Sequence, residues 1–249
     1  TNLGNDAGSI KLQARNAADT ANAAGTLQYA DSNGFDVAAI ATAGNVTLAA
    51  GGDVTQSGAI AASGLALTGA SGAYVLGHAD NTVNTLAAST SSIDYKQSGA
   101  LAVGTVEGVA GVTTTGVARI ETTGAASNLT LNNAVSSSAS GDAVVLKAGS
   151  SNAAGVGGGG QLVNNVGAGG IVASSGRYLV YSGDPGATVE GVTGHNKRYN
   201  SDANYLPAGS GGYLVPSGVN TNAIQTTLNF NVGTMSLKAG TPVAIVLKG

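Results

Sequence analysis

Asn45-Val46-Thr47-Leu48, a glycine-bounded turn and a short link, then Gly64-Leu65-Ala66-Leu67: this pair of segments decides the fold. Each is about four residues long and carries its apolar residues at i and i+2. That is a period of two, the signature of a strand with one face turned to a core. The same form recurs on both sides of the pair. Upstream stands Thr26-Leu27-Gln28-Tyr29; downstream stand Tyr74-Val75-Leu76, Ser92-Ile93-Asp94-Tyr95, Val117-Ala118-Arg119-Ile120, Asn128-Leu129-Thr130-Leu131 and Ala143-Val144-Val145-Leu146. From Ile10 to about Val172 these strands alternate with Gly, Asn, Asp and Ser. The phase places Val46, Leu48, Leu65, Leu67, Ile93, Val117, Leu129, Leu131, Val144 and Leu146 inside. The one helix candidate, Leu12 to Ala24, is weakened by Asn16, Thr20 and Asn22 and has no apolar stripe.

An internal match supports a repetitive architecture. Tyr29 matches Tyr95, Phe35 matches Leu101 and Val37 matches Val103, each 66 positions apart. A unit of that length corresponds to about three coils of roughly 20–25 residues, a usual solenoid repeat. A β-sandwich is the competing arrangement, but it calls for strands of about five to six residues joined by hairpin turns. Here the strands are short and Asn33-Gly34 is the one Asn-Gly pair. Single Gly and Asn residues suit the bends between solenoid faces, where positive φ is often needed. The expected class is therefore all-β: a right-handed parallel β-helix (β-solenoid), with an irregular Tyr/Pro-containing loop region and a C-terminal strand segment.

Composition agrees. Of 249 residues, 9% are charged, against about 25% in ordinary globular chains. Gly occurs 40 times, aromatics make up 4%, and Cys and Trp are absent. Disordered Gly/Ser linkers share the small-residue bias but lack apolar content to offset ordering entropy. This chain is 43% hydrophobic, so a core can form. Its net charge of −3 and its lack of a basic cluster larger than Lys197-Arg198 argue against nucleic acid as a partner. No run of 18 apolar residues is present, so membrane insertion is not expected. Thr1-Asn2-Leu3-Gly4 has neither the basic nor the apolar region of a signal peptide, which suggests a mature piece or a portion of something longer.

Three regions are expected: residues 1–182 as the β-helix repeats, 183–223 as a loop-rich region, and 224–249 as C-terminal strands that cap the solenoid or contact a partner. Three of the four prolines, Pro185, Pro207 and Pro216, fall in the middle region, and Tyr199, Tyr205 and Tyr213 fall there as well. The last region contains Leu228 to Val232 and Val243 to Leu247.

No residue pattern points to catalysis. Carboxylates are spread singly along the chain (Asp31, Asp36, Asp53, Asp80, Asp94, Glu107, Glu121, Asp142, Asp184, Glu190), whereas a catalytic β-helix gathers several on one face. His78 and His195 are 117 positions apart and have no metal-ligand spacing. Gly157 to Gly160 lacks the Lys-Ser/Thr of a phosphate loop. No enzyme activity, cofactor or metal is expected. Asn45-Val46-Thr47 and Asn128-Leu129-Thr130 are glycosylation sequons. The residues best suited to touch a partner are Tyr181, Asp184, His195, Lys197, Arg198, Tyr199 and Tyr205, since Tyr and Arg combine apolar area with hydrogen bonding. The same rings would equally pack the loop onto the solenoid.

The phrases Gly44-Asn45-Val46-Thr47-Leu48, Gly52-Asp53-Val54-Thr55-Gln56-Ser57-Gly58-Ala59-Ile60, Gly64-Leu65-Ala66-Leu67-Thr68-Gly69 and Gly108-Val109-Ala110-Gly111-Val112-Thr113-Thr114-Thr115-Gly116 resemble filamentous-haemagglutinin-type exoproteins. These are large adhesins of two-partner secretion systems in Gram-negative bacteria. Gly176-Arg177-Tyr178-Leu179-Val180-Tyr181-Ser182-Gly183-Asp184-Pro185 is similar to a phrase near the downstream end of such arrays. The resemblance covers roughly Ile10 to Pro185. It implies export through a partner outer-membrane transporter, a secreted or bacterial cell-surface location, and a role in attachment or biofilm. Surface glycans or proteins of host or bacterium, or copies of the chain itself, would be the partners. A self-assembling filament or surface-layer subunit is the alternative, and a polysaccharide-acting β-helix the more distant one.

Overall fold

The computed structural model describes residues 4–219, and all regular structure among them is β. In chain order the first strands are β1 (Ser9–Gln13), β2 (Leu27–Asp31), β3 (Phe35–Ala41), β4 (Asn45–Ala50), β5 (Val54–Gln56), β6 (Ile60–Leu76) and β7 (Thr82–Gln97). Then follow β8 (Leu101–Val103), β9 (Thr105–Val106), β10 (Val109–Ala110), β11 (Val112–Thr114), β12 (Ala118–Thr122), β13 (Leu129–Leu131) and β14 (Val135–Ser137). The series closes with β15 (Asp142–Lys147), β16 (Leu162–Asn164), β17 (Ile171–Ala173), β18 (Arg177–Ser182), β19 (Asn196–Lys197) and β20 (Tyr213–Pro216). Eighteen of them form one sheet whose ladders are parallel throughout, while β9 and β10 form a separate antiparallel pair. The chain is a parallel β-helix. Residues 12–24, the helix candidate, instead end β1 and form a turn pinned by Arg15 Nε on Asp19 Oδ1 at 2.8 Å. The C-terminal strands expected over 224–249 lie outside the described residues.

Two long faces carry the stack. One runs Tyr29, Leu48, Leu67, Ala88, Val112, Val135, Ile171 in register through successive coils. The other runs nine strands from β1 through β3, β5, β6, β7, β12, β15 and β18 to β20, and the two-residue β19 lies on the far side of β20. At about 4.8 Å per layer that face is about 40 Å long. A third face stacks Leu12, Ile40 and Ile60 in the early coils, passes from Ala62 to Val83, and continues in the later coils as β8, β13 and β16, where Leu101, Leu129 and Leu162 lie in register. Inward residues form a single continuous core, and Val46, Leu48, Leu65, Leu67, Leu129, Leu131, Val144 and Leu146 have no exposed surface. Val117 departs from expectation: it is half-buried just before β12, and Ala118 and Ile120 occupy the interior. The expected phase was one residue early because Gly116-Val117 still belongs to the turn.

The 66-residue match is corrected by the register. Tyr29 and Phe35 pair with Leu48 and Val54, 19 residues on, whereas Tyr95 and Leu101 stand on other faces, over Leu76 and under Leu129. What the two tyrosines share is a corner. Tyr29 donates its hydroxyl to Asp31 at 2.5 Å and Tyr95 donates to Gln97 at 2.8 Å, each two residues ahead. Buried polar side chains recur at such corners because turn amides and carbonyls cannot reach a ladder partner and burial without one is costly. Asn81, fully buried, shows the pattern best. Its Nδ2 donates to Leu76 and Lys96 carbonyls, and its Oδ1 accepts from the Ile60 amide and from Gln56 Nε2. At the Gly69 corner φ is +130°, and a β-carbon there would sit 2.0 Å from the Ala50 carbonyl oxygen, so only glycine fits.

Candidate functional site

Two features of the exterior bear on a site. The first is an outgrowth of the first long face. Between β8 and β11 the chain leaves the sheet as the β9–β10 hairpin, with Glu107 and Gly108 at φ 47° and 82°. Consecutive positive φ values at a two-residue turn suit the twist of a hairpin. Val106 lies on Ala66 and Ala87, two small outward residues that leave room for it. Glu107 Oε1 accepts a hydrogen bond from Asn45 Nδ2 at 2.7 Å. The sequon nitrogen of Asn45 is thus engaged by the hairpin.

The second is on the outer side of the nine-layer face. Outward residues alternate with the core residues of β7, β12, β15, β18 and β20 and form two rows. One row is Asp94, Arg119, Val145, Leu179, Tyr213; the other is Lys96, Glu121, Lys147, Tyr181, Val215. With Asp142 and Arg177, seven of the chain's 10 basic and 13 acidic residues gather on this patch. Arg119 Nη1 lies 3.4 Å from Asp94 Oδ2, and Arg177 Nε lies 2.5 Å from Asp142 Oδ1. Val145, Leu179 and Val215 face outward and are nonetheless buried, because residues 198–211 fold back over them as a strap. The Tyr181 hydroxyl donates to the Tyr205 carbonyl at 2.8 Å, and Arg177 Nη1 donates to the Gly209 carbonyl. The Arg198 guanidinium stacks 5.1 Å from the Tyr205 ring centroid. Sheet floor and strap border an open groove of about 300 Å³ lined by Arg119, Asp142, Lys147, Tyr181, Asn204 and Leu206, among others. A second hollow of about 350 Å³ adjoins it at Asp142 and Arg177.

The seven residues singled out from sequence divide among three places. Tyr181, Arg198, Tyr199 and Tyr205 belong to the strap or the floor beneath it. Tyr181 is 4% exposed, and burial, then the Asp142 carboxylate, pushes its phenol above the ordinary range. Its role is to anchor the strap. Asp184 holds a turn, accepting from the Gly186 amide at 2.7 Å. His195 and Lys197 lie elsewhere, at the last coil around Glu190. Lys197 Nζ is 2.6 Å from Glu190 Oε1 and His195 Nε2 is 3.0 Å from Glu190 Oε2. The His195 contact is off the hydrogen-bonding direction, so both ring nitrogens are buried without a hydrogen-bond partner. Its ring meets Tyr178 edge-on, 6.2 Å between centroids, against Val192 and Leu214. Sequence reasoning missed Arg119, Asp142, Lys147 and Arg177. They come from three strands and converge only through register, although the Arg/Lys at outward strand positions was a signal already on view.

The remaining carboxylates are held separately. Asp36 accepts from the Ser9, Thr55 and Ser57 hydroxyls. The hydroxyl of Tyr29, then the amides of Ala7 and Asn33, hold the Asp31 carboxyl below its usual range. Among the described residues no group of three or more His, Cys, Asp and Glu could hold a metal ion. No helix there is long and apolar enough to cross a membrane.

Fold and exterior together define a β-helical repeat protein with a strapped polar groove. A family model described as "Repeats of unknown function (DUF5649)" matches residues 24–90, the coils from β2 into β7. That is the region of regular 19- to 21-residue spacing. No curated protein and no solved structure gives a significant match to the chain.

Proposed function

We propose that this chain is an adhesive and structural segment of a secreted, bacterial-type cell-surface protein, serving attachment or matrix scaffolding by binding and not by catalysis. The observation that carries the reading is the nine-layer parallel stack beneath a strapped, charge-bearing groove. A stack of ladder-bonded coils is a rigid rod, and rigid scaffolds that present groups on an outer face lower the ordering cost of binding. The resemblance of the sequence phrases to two-partner secretion adhesins motivates the adhesive part of the reading, and the repeat-family match over residues 24–90 agrees with its repetitive architecture alone. On this reading the surface partners are glycans or proteins of host or neighbouring cells, with export through an outer-membrane transporter.

Displaying the chain on a non-adherent bacterium tests the proposal. Retention on epithelial or glycan-coated surfaces under flow should rise well above that of cells displaying an unrelated β-protein. Equal retention of the two would refute the adhesive reading.

A further inference from the structure

We infer that the groove between the outer face of β12, β15 and β18 and the strap is a binding site for a carboxylate-bearing saccharide, a uronic-acid unit of a polysaccharide. This rests on the adhesive reading and gives it a ligand class. The groove's cations are only part-used. Arg119 spends one nitrogen on Asp94 at 3.4 Å and keeps the rest of its fork free, with its side chain 43% exposed. Lys147 Nζ sits 5.2 Å from the Tyr181 ring centroid and has no carboxylate within ion-pair distance among the described residues. The two lie diagonally across neighbouring strands, since Arg119 pairs with Val145 and Glu121 pairs with Lys147. Diagonal neighbours are about 7–8 Å apart at the backbone, close enough for both long side chains to reach one anion.

Hydroxyl-bearing ligands need more than charge, and the other walls supply it. Asp142 and Asn204 offer acceptors and donors along the groove. Leu206, 65% exposed on the strap, offers an apolar surface to the C–H face of a ring. A volume of about 300 Å³ is at the small end of ligand sites, which fits one or two sugar rings. An acidic peptide fits less well. Extended peptides are recognised by adding to a sheet edge, and the floor strands here are ladder-bonded on both sides. On the floor, recognition must come from side chains.

The test is calorimetric titration of the whole chain with a trimer of galacturonic acid, its fully methyl-esterified form and triglutamate. The acid trimer should bind, and both other probes should bind at least tenfold more weakly. Arg119→Gln and Lys147→Gln, both surface changes checked by an unchanged thermal melt, should each weaken the acid trimer about tenfold, the scale of a lost charge-assisted hydrogen bond. Lys11→Gln, exposed on β1, should change nothing. Equal binding of the esterified trimer, equal binding of triglutamate, unaffected variants or no binding at millimolar concentration would each overturn the site. Bead adhesion of wild type and variants is measured in parallel. Wild-type beads that adhere without binding the trimer sink this site alone, and trimer binding without adhesion sinks the adhesive reading alone.

Discussion

Replacing Leu48 by alanine should remove about 4 kcal/mol of stability. Leu48 has no exposed surface and lies in register between Tyr29 and Leu67. Three carbon atoms leave the core, worth about 2.4 kcal/mol at about 0.8 kcal/mol per methylene. The neighbours cannot close the gap, because their backbones are fixed by ladder bonds at about 4.8 Å spacing. A residual void of about 60 Å³ at about 24 cal/mol per Å³ adds about 1.4 kcal/mol. Urea denaturation followed by far-UV circular dichroism measures the loss, with Val75→Ala, 53% exposed on the outer side, as the control at under about 0.5 kcal/mol. A lowered slope with the lowered midpoint would report coils unfolding separately, as solenoids can. A loss below about 1 kcal/mol at unchanged slope would refute the inward phase of the first coils.

Other outcomes follow from the corners and the titrating groups. Asn81→Leu strands the Ile60 amide and two carbonyls in the interior and should cost about 3 kcal/mol or more by the same assay; a neutral result would contradict the corner account. Gly69→Val should prevent cooperative folding, judged by loss of a sharp melt, since neither its φ nor the Ala50 carbonyl can yield. Burial, then the Asp31 carboxylate, pushes Tyr29 up to about 12 from 10.0, and burial also raises Tyr74 and Tyr95. A raised phenol means the fold favours the neutral form, so stability complete below pH 10 should drain away as pH climbs toward 12. A melting temperature flat across that window would contradict it. Asp31 is shifted the other way, so its contribution is present above the unfolded value of 3.8 and lost as pH falls below it; Asp31→Asn should flatten that acid limb, and an unaltered limb would remove Asp31 from the account.

The strand phase was legible in the sequence because a solenoid interior repeats one simple rule, apolar at alternate positions, wherever side chains such as Leu65 and Leu67 fill a narrow core. Val117 misled because the rule says nothing about where a turn ends. The 66-residue match misled for a deeper reason. Tyr-x-Asp at 29–31 and Tyr-x-Gln at 95–97 solve the same corner problem at different corners, and a local solution reused in sequence mimics a repeat. The groove was the least legible feature. Arg119, Lys147 and Arg177 are separated by roughly one coil each, and coil length drifts from 19 to 34 residues along this face, so no fixed spacing marks their convergence. The strap was visible only as composition, its tyrosines and Pro207, since a long loop folded over a sheet has no period.

On the proposed reading the chain binds a polysaccharide and does not turn over what it binds. Incubating it with polygalacturonate while following both retained polymer and newly formed reducing ends tests that in one vessel. The expected result is polymer held by the chain and unaltered in length after prolonged incubation. Polymer that shortens steadily, with shortening abolished by Asp142→Asn, would contradict it and make the groove an active site.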